Sequence, residues 1–228
     1  MSSDSAAIEC LALEKKLGHK FKDPRILVQA LSHRSVGSPN NERLEYLGDS
    51  VLGCVIAEFL YHQFPKLPEG DLTKMRAALV RQKTLSILAR DLNFPAHLIM
   101  GSGEVKSGGY NRDSILSDAF EAVVGALYLD GGMSAVKNVL GKLYKDLLKT
   151  IKPAELEDSK TLLQETLQKQ ELSLPVYQVI AQSGKAHSLT FTVSCKVPGI
   201  ESVFIATGNS RKKAEKSAAA LAVEALNK

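Results

Sequence analysis

The sequence predicts an all-α domain over residues 1–152 followed by an α+β domain over residues 153–228, the second in the order α-β-β-β-α. Three observations carry this. Apolar residues recur at the helical period from about residue 5 to 150, with no alternating stretch among them. The segment TIKPAELEDS, 150–159, is polar, contains Pro153 and has no strong apolar period, which marks a linker. Beyond it, Leu189, Phe191, Val193 and Cys195 alternate with Thr190, Thr192 and Ser194, the pattern of a strand with one wet face.

Within the first part, helices are punctuated at Ser38 to Asn41, Phe64 to Gly70 and Gly101 to Gly109, where Pro, Gly and Asn gather. In the second part, residues 159–169 read as a helix. Val176 to Gln182, Leu189 to Val197 and Ser202 to Thr207 follow as strands, and a long helix runs from Arg211 to Asn227. Three antiparallel strands with both helices on the inner face are expected. The chain has 228 residues, 44% of them hydrophobic, so two ordinary cores can be built. Its net charge of +4 is only mildly basic and points weakly to nucleic acid. Cys10, Cys54 and Cys195 lie far apart without metal-ligand spacing, which suggests neither a disulfide framework nor a zinc site and predicts buried thiols in a reducing compartment. No apolar run of bilayer length is visible, and Glu9, Glu14, Lys15, Lys16 and Lys20 stand where a signal peptide needs apolar residues. A cytoplasmic protein with no membrane partner is expected.

Two helices carry acids where burial is expected. In NERLEYLGDSVLG, Asn41 to Gly53, the residues Glu42, Glu45 and Asp49 fall within roughly 60° of one another at about 100° per residue. Leu52, Ile56 and Leu60 continue that azimuth, and Leu44, Leu47, Val51 and Val55 cover the opposite side, so the helix reads as apolar nearly all round. In ILSDAFEAVVGALYL, Ile115 to Leu129, the only charges are Asp118 and Glu121, again three apart. Either pair alone fits a partly exposed acidic edge. Clustered and buried, such carboxylates cost several kcal/mol per ion unless a cation compensates. Two packed helices bringing Glu45, Asp49, Asp118 and Glu121 together would supply oxygen donors suited to Mg²⁺ or Mn²⁺.

NERLEYLGDS resembles the signature of the ribonuclease III family, and SILSDAFEAVVGALYLDGG resembles that family's other catalytic helix. The resemblance extends to LSHRS at Leu31, PEGDLTKMRAALV at Pro68, KSGG at Lys106, and a C-terminal region like a double-stranded RNA-binding domain. It implies a metal-dependent endoribonuclease that hydrolyses double-stranded RNA, leaves 5′-phosphate and 3′-hydroxyl ends, and processes structured RNA such as rRNA precursors. Glu45, Asp118 and Glu121 are then the implied metal ligands, with Asp49 joining Glu121 in catalysis. Glu42 and Glu69 take supporting places at the edge of the catalytic valley. Mg²⁺ is the implied ion, Mn²⁺ a substitute, and no small-molecule cofactor is implied. Cutting both strands requires two centres, hence a homodimer paired through the signature helix, with Tyr46 entering a pocket of the partner. Phenylalanine is the family's more usual residue there.

In the C-terminal part, Ser210 is a good N-cap, yet Arg211, Lys212 and Lys213 follow it and oppose the helix dipole. They are either a solvated charge run or a binding place for duplex phosphate. GNSRKKA resembles the RNA-binding helix start of the double-stranded RNA-binding domain, which carries over Arg211 and Lys212. Glu215 stands where many members place a third lysine. The resemblance also implies that Gln164 and Glu165 reach 2′-hydroxyls and that His187, in GKAH, contacts a minor groove; alone, His187 reads as an ordinary loop histidine. Such contacts recognise A-form shape rather than sequence. The stretch GSGEVKSGG, 101–109, lacks the ending of a phosphate-binding P-loop and reads as an ordinary loop, with Lys106 a candidate phosphate contact. His33 is open to a structural or an acid/base role. Two other functions compete: a double-stranded RNA-binding regulator that does not cut, and a nucleotide phosphohydrolase with no use for the C-terminal part.

Overall fold

The computed structural model describes residues 11–152, 159–184 and 189–226. Cys10, most of the expected linker (153–158) and His187 lie outside the described residues. The chain divides into two compact units, Met1–Pro153 and Ala154–Lys228.

The first unit is helical. After a helical stretch at 11–17 come α1 (Pro24–Ala30), α2 (Glu42–Gln63), α3 (Glu69–Val80), α4 (Gln82–Asp91), α5 (Ser102–Lys106), α6 (Asp113–Leu143) and α7 (Lys145–Thr150). Asp23 caps α1 by accepting the Arg25 N–H at 3.0 Å, and Pro24 takes the first position, where no N–H is needed. Pro68 stands at the N-cap of α3, whose first turn carries Glu69 and Asp71, acids that the helix dipole favours there. Among the described residues of this unit the only β pairing is an isolated parallel bridge, Ser32 to Ile99. It places LSHRS beside the glycine-rich stretch at 101–109, part of which forms α5 rather than loop.

α2 and α6 form the centre of the core. Leu52, Val55, Ile56 and Leu60 of α2 and Leu116, Ala119 and Ala122 of α6 are wholly buried. Each large apolar side chain contributes up to roughly 1.5–3 kcal/mol, an upper figure because the unfolded chain already buries some surface. α6 has the length and apolarity to cross a bilayer, contrary to the sequence reading. Half of its most apolar window is buried in the fold, however, and the helix breaks at Gly132, whose φ of 68° and ψ of −171° suit glycine alone.

α2 is not buried all round. Tyr46 is 81% exposed and Tyr61 68%, and between them Ser50 and Cys54 also face outward. α6 covers one flank only, and no described residue covers this outward strip. Cys54 is therefore exposed, which corrects the expectation of a buried thiol; Cys195 is fully buried, and burial pushes its thiol pKa up.

The second unit comprises α8 (Ser159–Lys169), β1 (Val176–Ser183), β2 (Thr190–Lys196), β3 (Val203–Gly208) and α9 (Arg211–Leu226). The strands pair antiparallel in the order β1-β2-β3. Tyr177, Cys195 and Phe204 lie in register on the inner face, as do Val179, Val193 and Ala206. Leu163 and Leu167 of α8 and Ala218, Ala219 and Ala222 of α9 cover that face, and the alanines let α9 approach closely.

Candidate active site and RNA-binding residues

The site is built where α2 crosses α6. A Cβ at Gly48 would collide with the Glu121 carbonyl oxygen and stand 2.9 Å from the Gly125 amide nitrogen; one at Gly125 would collide with the Leu44 carbonyl. The two backbones thus touch at a glycine pair. That contact fixes the register of the acids. Glu45, from the first turn of α2, meets Asp118 and Glu121 of α6, with one carboxylate oxygen from each lying within 4.8 Å of the others. Asp49 is exposed on the same side, and with Glu42 it lines the same cavity, of about 620 Å³.

Crowding shows in the titration of these groups. The Glu121 pKa is pushed up to about 8, by burial first and then by the charges of Asp49, Asp118 and Glu45. Glu45 is raised by burial, then by Asp118 and Glu42. Asp118 is raised by burial, which outweighs the opposing hydrogen bond from Ser117 and the fields of His33 and Arg34. Three part-buried carboxylates that resist ionisation, within reach of one ion, suit a hard divalent cation.

The rim holds His33, open to either role from the sequence, beside groups the sequence did not single out. His33, Arg34, Glu104 and Arg112 all line the cavity. His33 Nδ1 accepts the Ser35 N–H at 3.2 Å, capping the start of the short turn at Arg34–Val36, so the ring also has a structural role. Arg34 lies 3.9 Å from Glu42. Arg112 donates to Glu104 Oε1 at 2.8 Å and to Ser107 Oγ at 3.0 Å, while the Gly101 N–H donates to Ser35 Oγ at 2.9 Å. These bonds hold the stretch 101–109 against LSHRS as one wall of the cavity. Lys106 is exposed and does not line it. Only the repeated cations of LSHRS and NRDS hinted at this rim, and exposed cations in loops are too common to single out.

Glu69 is elsewhere within the chain. Its Oε1 accepts from Thr73 Oγ1 at 2.6 Å, and it lines a second cavity, about 470 Å³, with Ala57 and Tyr61. Tyr46 lines both the acidic cavity and an adjoining apolar one with Ile26, Leu44 and Leu129.

In the second unit Gln164 and Glu165 are exposed on α8, and Arg211 and Lys212 are exposed at the start of α9. Ser210 Oγ accepts the Lys213 N–H at 3.2 Å, the expected cap.

Both units are similar to known families. Residues 23–147 match the family described as Ribonuclease-III-like, and residues 159–226 match the Double-stranded RNA binding motif. Ribonuclease 3 of Shewanella denitrificans is 49% identical over 217 residues, which cover 95% of this chain and 96% of that protein. This chain belongs to the ribonuclease III family. Ribonuclease 3 of Vibrio campbellii is 51% identical over 215 residues, covering 94% and 96% of the two chains. The crystal structure of the nuclease domain of ribonuclease III from Campylobacter jejuni superposes with a TM-score of 0.59 at 44% identity, covering 62% of this chain and 97% of that one. A second structure of that domain, described for flexibility in a region involved in dimer formation, gives 0.58 at 45% identity, covering 59% and 95%. As a ribonuclease III family member with both parts present, the chain is a metal-dependent endoribonuclease of double-stranded RNA, and a non-cleaving regulator is not favoured.

Proposed function

We propose that Glu45, Asp118 and Glu121 hold Mg²⁺, with Mn²⁺ a substitute, and that Asp49 works beside Glu121 in cutting duplex RNA. The convergence of three carboxylates within 4.8 Å carries this reading. A bound divalent ion lowers the pKa of water and offsets charge on the phosphate and the leaving oxygen. In the hydrolysis, water oxygen bonds to phosphorus and the bond from phosphorus to the 3′ oxygen breaks. The water yields a proton and the 3′ oxygen gains one, leaving 5′-phosphate and 3′-hydroxyl ends. The chain's own contribution is position: two helices locked at Gly48 and Gly125 keep the carboxylates in place without reorganisation. Gln164, Glu165, His187, Arg211 and Lys212 hold the duplex by its A-form shape. Structured RNA, rRNA precursors and mRNA among it, is the substrate in the cytoplasm.

The exposed strip of α2 supports a homodimer. Antiparallel pairing about a two-fold axis midway between Gly53 and Cys54 sets Ser50 opposite Ala57 and Tyr46 opposite Tyr61. Small residues at the centre admit close approach, and Tyr46 enters the cavity lined by Ala57, Tyr61 and Glu69 of its partner. Tyr46 also lines the acidic cavity, so this register returns Glu69 to the neighbourhood of Glu42 across the interface and gives both supporting acids a place.

A long RNA duplex incubated with the protein and Mg²⁺, with EDTA, and with Glu121→Gln tests the reading. Cleavage only in the first case is expected. A duplex left intact with Mg²⁺ at RNA-saturating protein contradicts it.

A further inference from the structure

Glu215 sits in α9 one turn after Arg211, and only 12% of its side chain is exposed. Its Oε1 accepts from Arg211 Nε at 2.8 Å, and its Oε2 accepts from Lys160 Nζ at 2.8 Å. Lys160 belongs to α8, and its ammonium also lies 4.4 Å from the Tyr177 ring centroid. One carboxylate therefore fastens a cation from each helix, on the two elements that present the candidate RNA contacts. Both ion pairs hold the Glu215 pKa below its ordinary value, Lys160 being the larger cause. The arrangement around Arg211 is directional. Its single Nε hydrogen is given to Glu215, while the two Nη groups, on a side chain 66% exposed, point no hydrogen bond at any described residue. A guanidinium held by Nε presents its Nη pair as a fork, the geometry that suits a phosphate.

We infer that Glu215 is a positioning residue for duplex RNA: it aims the Arg211 fork outward and ties α8 to α9, so that Gln164 and Glu165 stay in register with Arg211 and Lys212. The inference rests on the reading of this unit as the RNA-binding part. It also explains why an acid stands among Arg211, Lys212, Lys213 and Lys216, where a further cation would add attraction but would leave Arg211 without its anchor. Net charge and position then make opposite predictions. Removing a negative charge should tighten RNA binding if charge alone matters, and weaken it if Glu215 positions Arg211.

The test is binding of a blunt RNA duplex to the full chain in EDTA, over a series of salt concentrations, for the wild type, Glu215→Gln, Arg211→Ala and the double variant. Glu215→Gln is expected to raise Kd by roughly three- to tenfold, the worth of one hydrogen bond. The slope of log K against log salt is expected to flatten by up to about 0.9, the loss of one phosphate contact. In the Arg211→Ala background the same change is expected to have little further effect on that slope. Glu215→Asp, which keeps the charge but shortens the reach, is expected to behave like Glu215→Gln, and it replaces it should the glutamine variant lose its far-UV circular dichroism. Unchanged or tighter binding, or weaker binding with an unaltered slope, overturns the inference. Failure of the wild type to bind the duplex at all overturns instead the RNA-binding reading beneath it.

Discussion

At the scale of single residues, the Glu121 carboxyl ties stability to pH. In the folded, ion-free protein it titrates near 8, against 4.5 for the ordinary group. The folded state therefore keeps a proton that the unfolded chain gives up, and the contribution of this group to stability is fully present below pH 4.5 and is lost as pH rises through 8. Glu45 and Asp118 are shifted the same way. Thermal unfolding in EDTA should show Tm declining from pH 5 to 8, and Glu121→Gln should flatten that decline; an equal decline in the variant would assign it to other groups. Mg²⁺ should raise Tm more at pH 8 than at pH 6, because protons compete with the ion for the same oxygens. Where nuclease activity is concerned, outer contacts of a metal site already cost about 10- to 100-fold, so Glu121→Gln should lower cleavage by at least about a hundredfold with duplex binding retained. These acids were legible in the sequence because a charge in an apolar helix is expensive and needs a reason. Arg34 and Arg112 were not, since an exposed cation on a loop needs none.

At the scale of elements, the crossing of α2 and α6 decides whether the acids meet. Alanine favours a helix over glycine by about 1 kcal/mol, so Gly48→Ala would stabilise an isolated α2. In the folded protein its methyl meets the Glu121 carbonyl, and overpacking of this kind costs roughly 1–3 kcal/mol. Urea unfolding should show a lower midpoint for Gly48→Ala, and cleavage should fall beyond what the stability loss explains, because the displaced turn carries Glu121 itself. A midpoint equal to or above that of the wild type would mean the helices do not touch there. The helices themselves were readable from their 3.6-residue period, and β2 from its alternation. Their crossing point was not, since apolar periodicity gives a face but no position along it; the remaining clue was a glycine in the middle of each core helix, where glycine is costly. The same blindness applies to the outward strip of α2. Glycine, alanine and cysteine read as apolar whether they are buried or merely small.

At the scale of the whole molecule, the proposed homodimer makes activity on both strands depend on pairing through that strip. Tyr46→Ala should shift sedimentation equilibrium toward monomer and reduce double-strand cleavage, while Glu121→Gln leaves the assembly intact. In the proposed register the two copies of Cys54 lie beside the axis, so a short bifunctional maleimide should join them, with Cys54→Ser abolishing the product. Absence of a cross-linked species from a protein that sediments as a dimer would move the interface elsewhere. The account as a whole stands on one ion held between two helices. Its most direct measurement is anomalous diffraction from crystals soaked in Mn²⁺. A peak within about 2.3 Å of carboxylate oxygens of Glu45, Asp118 and Glu121, absent in Glu121→Gln crystals, is the predicted result. No peak in that cavity at a concentration that supports cleavage, or a peak persisting unchanged in the variant, would contradict it.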